Sequence, residues 1–89
     1  MTADEIKALR PQLRGWKVVR HHHLRKRYEF VNFLEAQRFV ARVGRLAEGQ
    51  GHHPDICFGW GYAELKIWTH KIDGLSESDF ILAAKIDKL

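Results

Sequence analysis

The sequence predicts one α+β domain spanning residues 1–89, an antiparallel sheet covered by helices in the order α-β-β-α-β-β-α. Three observations carry that prediction. Apolar residues recur at helical spacing from Ala36 to Ala47, they alternate with polar ones on both sides of Gly61, and 89 residues leave room for a single core. The composition agrees, because 45% apolar and 29% charged residues belong to a folded chain rather than a disordered one.

Taken in order, Thr2 to about Leu9 reads as a short helix. Thr2 is its cap, Glu5 sits three residues on, and Ile6 and Leu9 share a face. Pro11 lacks an amide donor and argues against continuation, and Gly15 marks the exit. Trp16 to about Val19 reads as the first strand and Leu24 to Val31 as the second. In the second strand Leu24, Tyr28 and Phe30 alternate with Arg25, Arg27 and Glu29. Lys26 falls on the apolar side, which suggests an edge or an incompletely covered face.

Asn32, followed three residues later by Glu35, starts the central helix in the manner of a capping box. Ala36, Phe39, Val40, Val43, Leu46 and Ala47 form its apolar stripe, and Gly49 and Gly51 end it. Ile56, Phe58 and Trp60 then alternate, Gly61 turns the chain, and Ala63, Leu65, Ile67 and Thr69 alternate back, which is a β-hairpin. Ser76 and Asp79 open a last helix with Leu82, Ala83, Ile86 and Leu89 on its buried side.

Several function classes fall away at this level. The longest run without a charged residue, Ile56 to Ala63, is eight residues, against the ~20 a spanning helix needs, so no membrane helix is expected. Met1-Thr2-Ala3-Asp4-Glu5 lacks the basic start and apolar stretch of a signal peptide. Cys57 is the lone cysteine and has no partner for an intrachain disulfide, which favours the reducing cytoplasm. The net charge of +4 permits anionic partners without specifying one. The dense run Arg20-His21-His22-His23-Leu24-Arg25-Lys26-Arg27 reads as a solvated strand and turn ahead of a nucleic-acid patch, since no zinc-finger spacing or aromatic RNA-binding motif accompanies it.

The six histidines supply the candidate chemistry. Adjacent histidines in a strand point to opposite sides, so His21 to His23 are a poor metal site. His52 and His53 fall in the crossing Glu48-Gly49-Gln50-Gly51-His52-His53-Pro54, between the central helix and the hairpin. His70 closes the hairpin's second strand. Because a hairpin returns its chain, these three histidines can converge at one end of the sheet.

Glu48-x-x-x-His52-His53-Pro54, then Trp60, Thr69-His70 and Gly74-Leu75-Ser76-x-x-Asp79, resembles the signature of the pterin-4a-carbinolamine dehydratases. The likeness extends through Gly15-Trp16 and Tyr28-x-Phe30-x-x-Phe33-x-x-Ala36 and covers nearly the whole chain. It implies a four-stranded antiparallel sheet with helices packed on one face, and assembly into a homodimer or homotetramer. It also implies dehydration of 4a-hydroxytetrahydrobiopterin to quinonoid dihydrobiopterin, with no metal and no bound cofactor. That reaction recycles tetrahydrobiopterin for the aromatic amino acid hydroxylases.

By the same resemblance His52 and His70 are the general acids, and His53 holds the pterin and acts as base. Glu48 supports the histidines and Asp79 orients His70. Trp16 and Thr69 stand beside the substrate, although Trp16 fits a core position equally well and Trp60 reads as core or hairpin packing. Imidazole, titrating at ~6.5, offers both protonation states near neutrality. Three departures stand out: Gly51 where relatives often carry Asp or Asn, Trp68 where a small or polar residue is common, and Pro11, which shortens the first helix. Some animal relatives also act as dimerisation partners and coactivators of a homeodomain transcription factor, and the alternative is a non-catalytic interaction protein of the same fold.

Overall fold

The computed structural model describes residues 1–89. Helix α1 (Ala3–Leu9) is capped by Thr2, whose side chain accepts from the Glu5 amide while the Glu5 carboxylate accepts from the Thr2 amide. Pro11 does not break the chain outright. It lies in a 3₁₀ turn, Arg10–Gln12, where its missing amide is not needed. Strands β1 (Lys17–Val19) and β2 (His23–Glu29), helix α2 (Phe33–Gln50), strands β3 (Asp55–Gly59) and β4 (Tyr62–Ile67), a 3₁₀ turn (His70–Ile72) and helix α3 (Glu77–Ile86) follow. No helix is long and apolar enough to cross a membrane among the described residues.

All four strands pair antiparallel, in the order β1-β2-β4-β3. The registers Leu24↔Ile67, Tyr28↔Ala63 and Ile56↔Leu65 place one apolar set on one face. Leu24, Ala63, Leu65 and Ile67 there are fully buried with Val43 of α2 and Ala83 and Ile86 of α3. Burying each of the leucine, isoleucine and valine side chains among them is worth roughly 1.5–3 kcal/mol, so this layer contact is the main source of stability. The opposite face carries Arg25, Arg27, Glu64 and Lys66, with Arg25 paired to Glu64 across the strands.

Several expectations are corrected. Strand β2 ends at Glu29 instead of Val31, because the Phe30 amide turns to the Gly61 carbonyl at the hairpin tip and Val31 is exposed. Lys26 does not mark an edge, since β2 is an interior strand. Its side chain runs out along the core margin, and Nζ reaches Asp87 Oδ1 (2.9 Å) and the Arg14 carbonyl (2.8 Å) over the faces of Trp16 and Tyr28. Asn32 caps α2, but Glu35 turns to Arg38 and leaves the capping box half made.

Gly49 lies within α2, which ends only at Gly51. Trp60, expected to pack, is 73% exposed at the hairpin tip, and Leu89 lies exposed beyond the end of α3. His70 does not close β4. It opens the 3₁₀ turn that follows, after Thr69 has paired with Gly74 in an isolated bridge.

Candidate active site

The end of helix α2 aims the first two histidines. Gly51 adopts φ 64°, a left-handed conformation that glycine takes without penalty, and its amide reaches back to the carbonyls of Ala47 and Glu48. The next amide, that of His52, closes on the Ala47 carbonyl at 3.1 Å. These are the two bonds of a Schellman motif, and the residue that completes it is His52 itself. The same turn points Glu48 toward the loop, where Glu48 Oε2 lies 2.8 Å from His53 Nε2 on an exposed surface. Asn and Asp are the non-glycine residues that best tolerate such a backbone, so Gly51 keeps the conformation while giving up any side-chain contact.

Asp79 anchors the other side. It is the first-turn residue of α3 whose carboxylate caps its own helix through the Ser76 amide (2.7 Å), and the capping box is complete. The carboxyl group is fully buried and also accepts from Thr69 Oγ1 (2.9 Å), while His52 Nε2 lies 2.5 Å from Oδ1. Four pieces of chain therefore meet at one side chain: the α2–β3 loop, the end of β4, the Ser76 cap and α3. A buried carboxylate with three donors is satisfied, and no buried side-chain polar atom lacks a partner among the described residues. With Nε2–H given to Asp79, a neutral His52 has its lone pair on Nδ1, and protonation turns that atom into a donor.

His52, His53, Trp68, Thr69 and His70, with Gly51 and Lys71, line one cavity of about 300 Å³. The three histidines thus face a common space at the end of the sheet. The expected pairing of Asp79 with His70 is corrected, because Asp79 holds His52 instead. His70 is exposed, and its imidazole lies against Trp68, tilted by 51° with ring centroids 4.5 Å apart. The Thr69 hydroxyl hydrogen is committed to Asp79.

Trp16 is not brought to this cavity. It is 4% exposed and donates Nε1–H to Asp87 Oδ2 near the C-terminal end of α3, where Tyr28 OH also reaches Asp87. Burial and the Asp87 carboxylate push the Tyr28 phenol above its ordinary range. Cys57 is exposed on the open sheet face with its Sγ 4.0 Å from Tyr62 OH. No group of three or more His, Cys, Asp or Glu among the described residues is disposed to hold a metal ion.

Sequence reasoning missed Lys71 in the cavity lining, an exposed cation with nothing in its local pattern to single it out. It also placed His22 and His23 in an exposed connection, whereas both are half-buried and pack against the Trp68 ring behind the cavity wall. The available signal was the antiparallel hairpin, which returns those histidines to the end of the sheet where β4 finishes.

Comparison with known proteins bears on the whole chain. A family model described as pterin 4 alpha carbinolamine dehydratase matches residues 1–89. A protein of Rubrobacter xylanophilus named "Putative pterin-4-alpha-carbinolamine dehydratase" is 61% identical over 89 residues, covering 100% of this chain and 83% of its own. A relative of the same name from Alkaliphilus metalliredigens is 51% identical, with 99% and 80% covered. Among solved structures, one described as a transcriptional coactivator/pterin dehydratase from Brucella melitensis superposes with a TM-score of 0.92 at 26% identity, over 99% of this chain and 95% of that one. With the family pattern matched from the first residue to the last and relatives this similar across their shared length, the chain belongs to the pterin-4a-carbinolamine dehydratase family.

Proposed function

We propose that this protein eliminates water from 4a-hydroxytetrahydrobiopterin, giving quinonoid dihydrobiopterin, by general acid–base catalysis from His52, His53 and His70. The observation that carries the reading is the shared cavity. Three imidazoles face a space whose volume lies at the lower end of the range for small-molecule sites. The step is an elimination: the C4a–O bond breaks, a C=N bond forms to the neighbouring ring nitrogen, that nitrogen's proton passes to a base, and the departing hydroxyl takes a proton to leave as water. No electron is exchanged with a second reactant.

His52 and His70 are the acids in this proposal, and His53 holds the ring and accepts the nitrogen proton. Asp79 holds His52 in the tautomer that presents Nδ1, and Glu48 does the same for His53 through Nε2. Family membership supports the same chemistry. The exposed side chains of Val31, Phe33, Leu34 and Trp60, together with the free edge of β3, favour self-association into a dimer or tetramer as part of the proposal.

The test is the rate of loss of 4a-carbinolamine absorbance on adding purified protein. Acceleration is expected, with His52→Ala and His70→Ala each slower by about 10²–10⁴-fold. A rate equal to the uncatalysed one would exclude the activity and leave the interaction protein of the same fold as the surviving reading.

A further inference from the structure

His22 has no part in the machinery described so far and Trp68 enters it only as cavity lining, yet the two connect the β1–β2 turn to the cavity. We propose that His22, acting through Asp73 and Trp68, positions the His70 imidazole, so that the β1–β2 turn is a working part of the site. The effect on turnover rests on the reading of His70 as a proton donor; the placement of the ring does not.

The base of the segment carrying His70 is closed by its own backbone, with Thr69 N–H on the Gly74 carbonyl (2.8 Å) and Gly74 N–H on the Thr69 carbonyl (3.3 Å). Its far end is tied to the rest of the fold by one side-chain hydrogen bond among the described residues, His22 Nε2 to Asp73 Oδ1 at 2.7 Å. The His70 side chain has no hydrogen-bond partner among the described residues, so its direction depends on the turn beneath it and on Trp68 beside it. The Trp68 ring lies 4.5 Å from His70, 5.4 Å from His22 and 6.1 Å from His23, centroid to centroid. Trp68 is thus the shared neighbour of the cavity imidazole and the two turn imidazoles.

His22 is well placed to act as a fixed strut, because both its ring nitrogens are engaged: Nε2 with Asp73, and Nδ1 with His23 Nδ1 at 3.1 Å. Two nitrogens facing each other at that distance share a single hydrogen, so one ring donates and the other accepts. Burial of His23, helped by the neighbouring charges of His22, Lys66, Arg25 and Arg20, holds its imidazole below the ordinary pKa and keeps it available as a neutral partner.

Backbone strain is concentrated at the same joint. Arg20 (φ 54°), His21 (φ 56°) and Asp73 (φ 48°) are the non-glycine residues with left-handed backbone, and they lie on the two sides of the His22–Asp73 bond. Such conformations persist where surrounding contacts hold them.

The experiment is a pH titration of histidine ring signals by NMR on the full chain, for wild type, His22→Ala, His22→Gln and Trp68→Phe. The His70 ring shifts and titration midpoint should move in His22→Ala, while those of His53, on the far side of the cavity loop, stay in place. His22→Gln, whose amide can still donate to Asp73, should return His70 most of the way. In the dehydration assay His22→Ala should lose up to about 100-fold in kcat with little change in KM.

Wild-type His70 signals in a folded His22→Ala protein would overturn the inference. Should that variant not fold, Trp68→Phe decides by the same criterion. A wild-type protein inactive on the pterin would instead remove the proposed reaction, and the NMR comparison would still decide the positioning role.

Discussion

Replacing Asp79 by Asn tests the site at its most heavily bonded atom pair. Oδ2 of Asp79 receives the Ser76 amide at 2.7 Å and the Thr69 hydroxyl at 2.9 Å, whereas Oδ1 faces only His52 Nε2 at 2.5 Å. An asparagine has one acceptor and one donor end. Its oxygen will take the Oδ2 position, because an NH₂ there would oppose two donors. The amide nitrogen then meets His52, which must become an acceptor at Nε2 and carry its hydrogen on Nδ1.

A hydrogen bond to a charged group contributes about 1.5–3 kcal/mol, so exchanging this one for a neutral bond in a fully buried setting should lower stability by about 2 kcal/mol. For a domain of this size that is a fall of roughly 10 °C in Tm. Nitrogen-15 correlation spectra read the tautomer directly, calorimetry reads the stability, and the dehydration assay should show a loss of about 10²-fold or more, since with Nε2 facing an amide donor in place of a carboxylate His52 can no longer take a second proton and act as an imidazolium acid. An Nε2-protonated His52 in a folded Asp79→Asn protein, with unchanged turnover, would refute the reasoning.

Two further outcomes follow from other parts of the molecule. Arg20 and His21 occupy the centre of the β1–β2 turn with positive φ, a geometry that suits Asn-Gly, so the double replacement Arg20→Asn with His21→Gly should raise stability by about 1–2 kcal/mol. Chemical denaturation measures it, and a fall in the midpoint would show that these side chains contribute more than their backbone conformation costs. At high pH the sign follows from Tyr28: its folded phenol is raised above the unfolded value of 10.0, so the native state keeps a proton that the unfolded chain releases. Stability from this group is whole below pH 10 and declines as pH rises beyond it. Asp87→Asn should bring Tyr28 ionisation down part of the way in an ultraviolet titration, with the share due to burial remaining; no movement would mean that Asp87 does not act on Tyr28.

The elements were legible because their signals are local. Thr2 with Glu5 and Ser76 with Asp79 name helix starts through bonds only three residues long, and both capping boxes form. The alternation through Ala63, Leu65 and Ile67 marks a strand face that is wholly buried. Where a residue's role depended on a distant neighbour, local reading went astray. Trp60 alternates in phase with Ile56 and Phe58 yet lies past the end of β3, in the exposed hairpin turn. Lys26 reads locally as an edge or an incompletely covered face because nothing nearby in sequence announces Asp87, 61 positions away.

The candidate site divides in the same way. Its histidines, the loop that bears them and the hairpin that brings His70 back toward His52 and His53 could all be read from residue type and short spacing. Which carboxylate serves which imidazole could not, for hydrogen bonds are settled over a few ångströms once β4 has inserted between β2 and β3 and α3 has docked its first turn against the α2–β3 loop. That docking hands Asp79 to His52 instead of His70, leaves Trp16 at the other end of α3, and sets the β1–β2 turn against Trp68. Chain patterning specifies periods and caps, which are short-range quantities; partner choice across the sheet is long-range, and it arises only from the packing of layers.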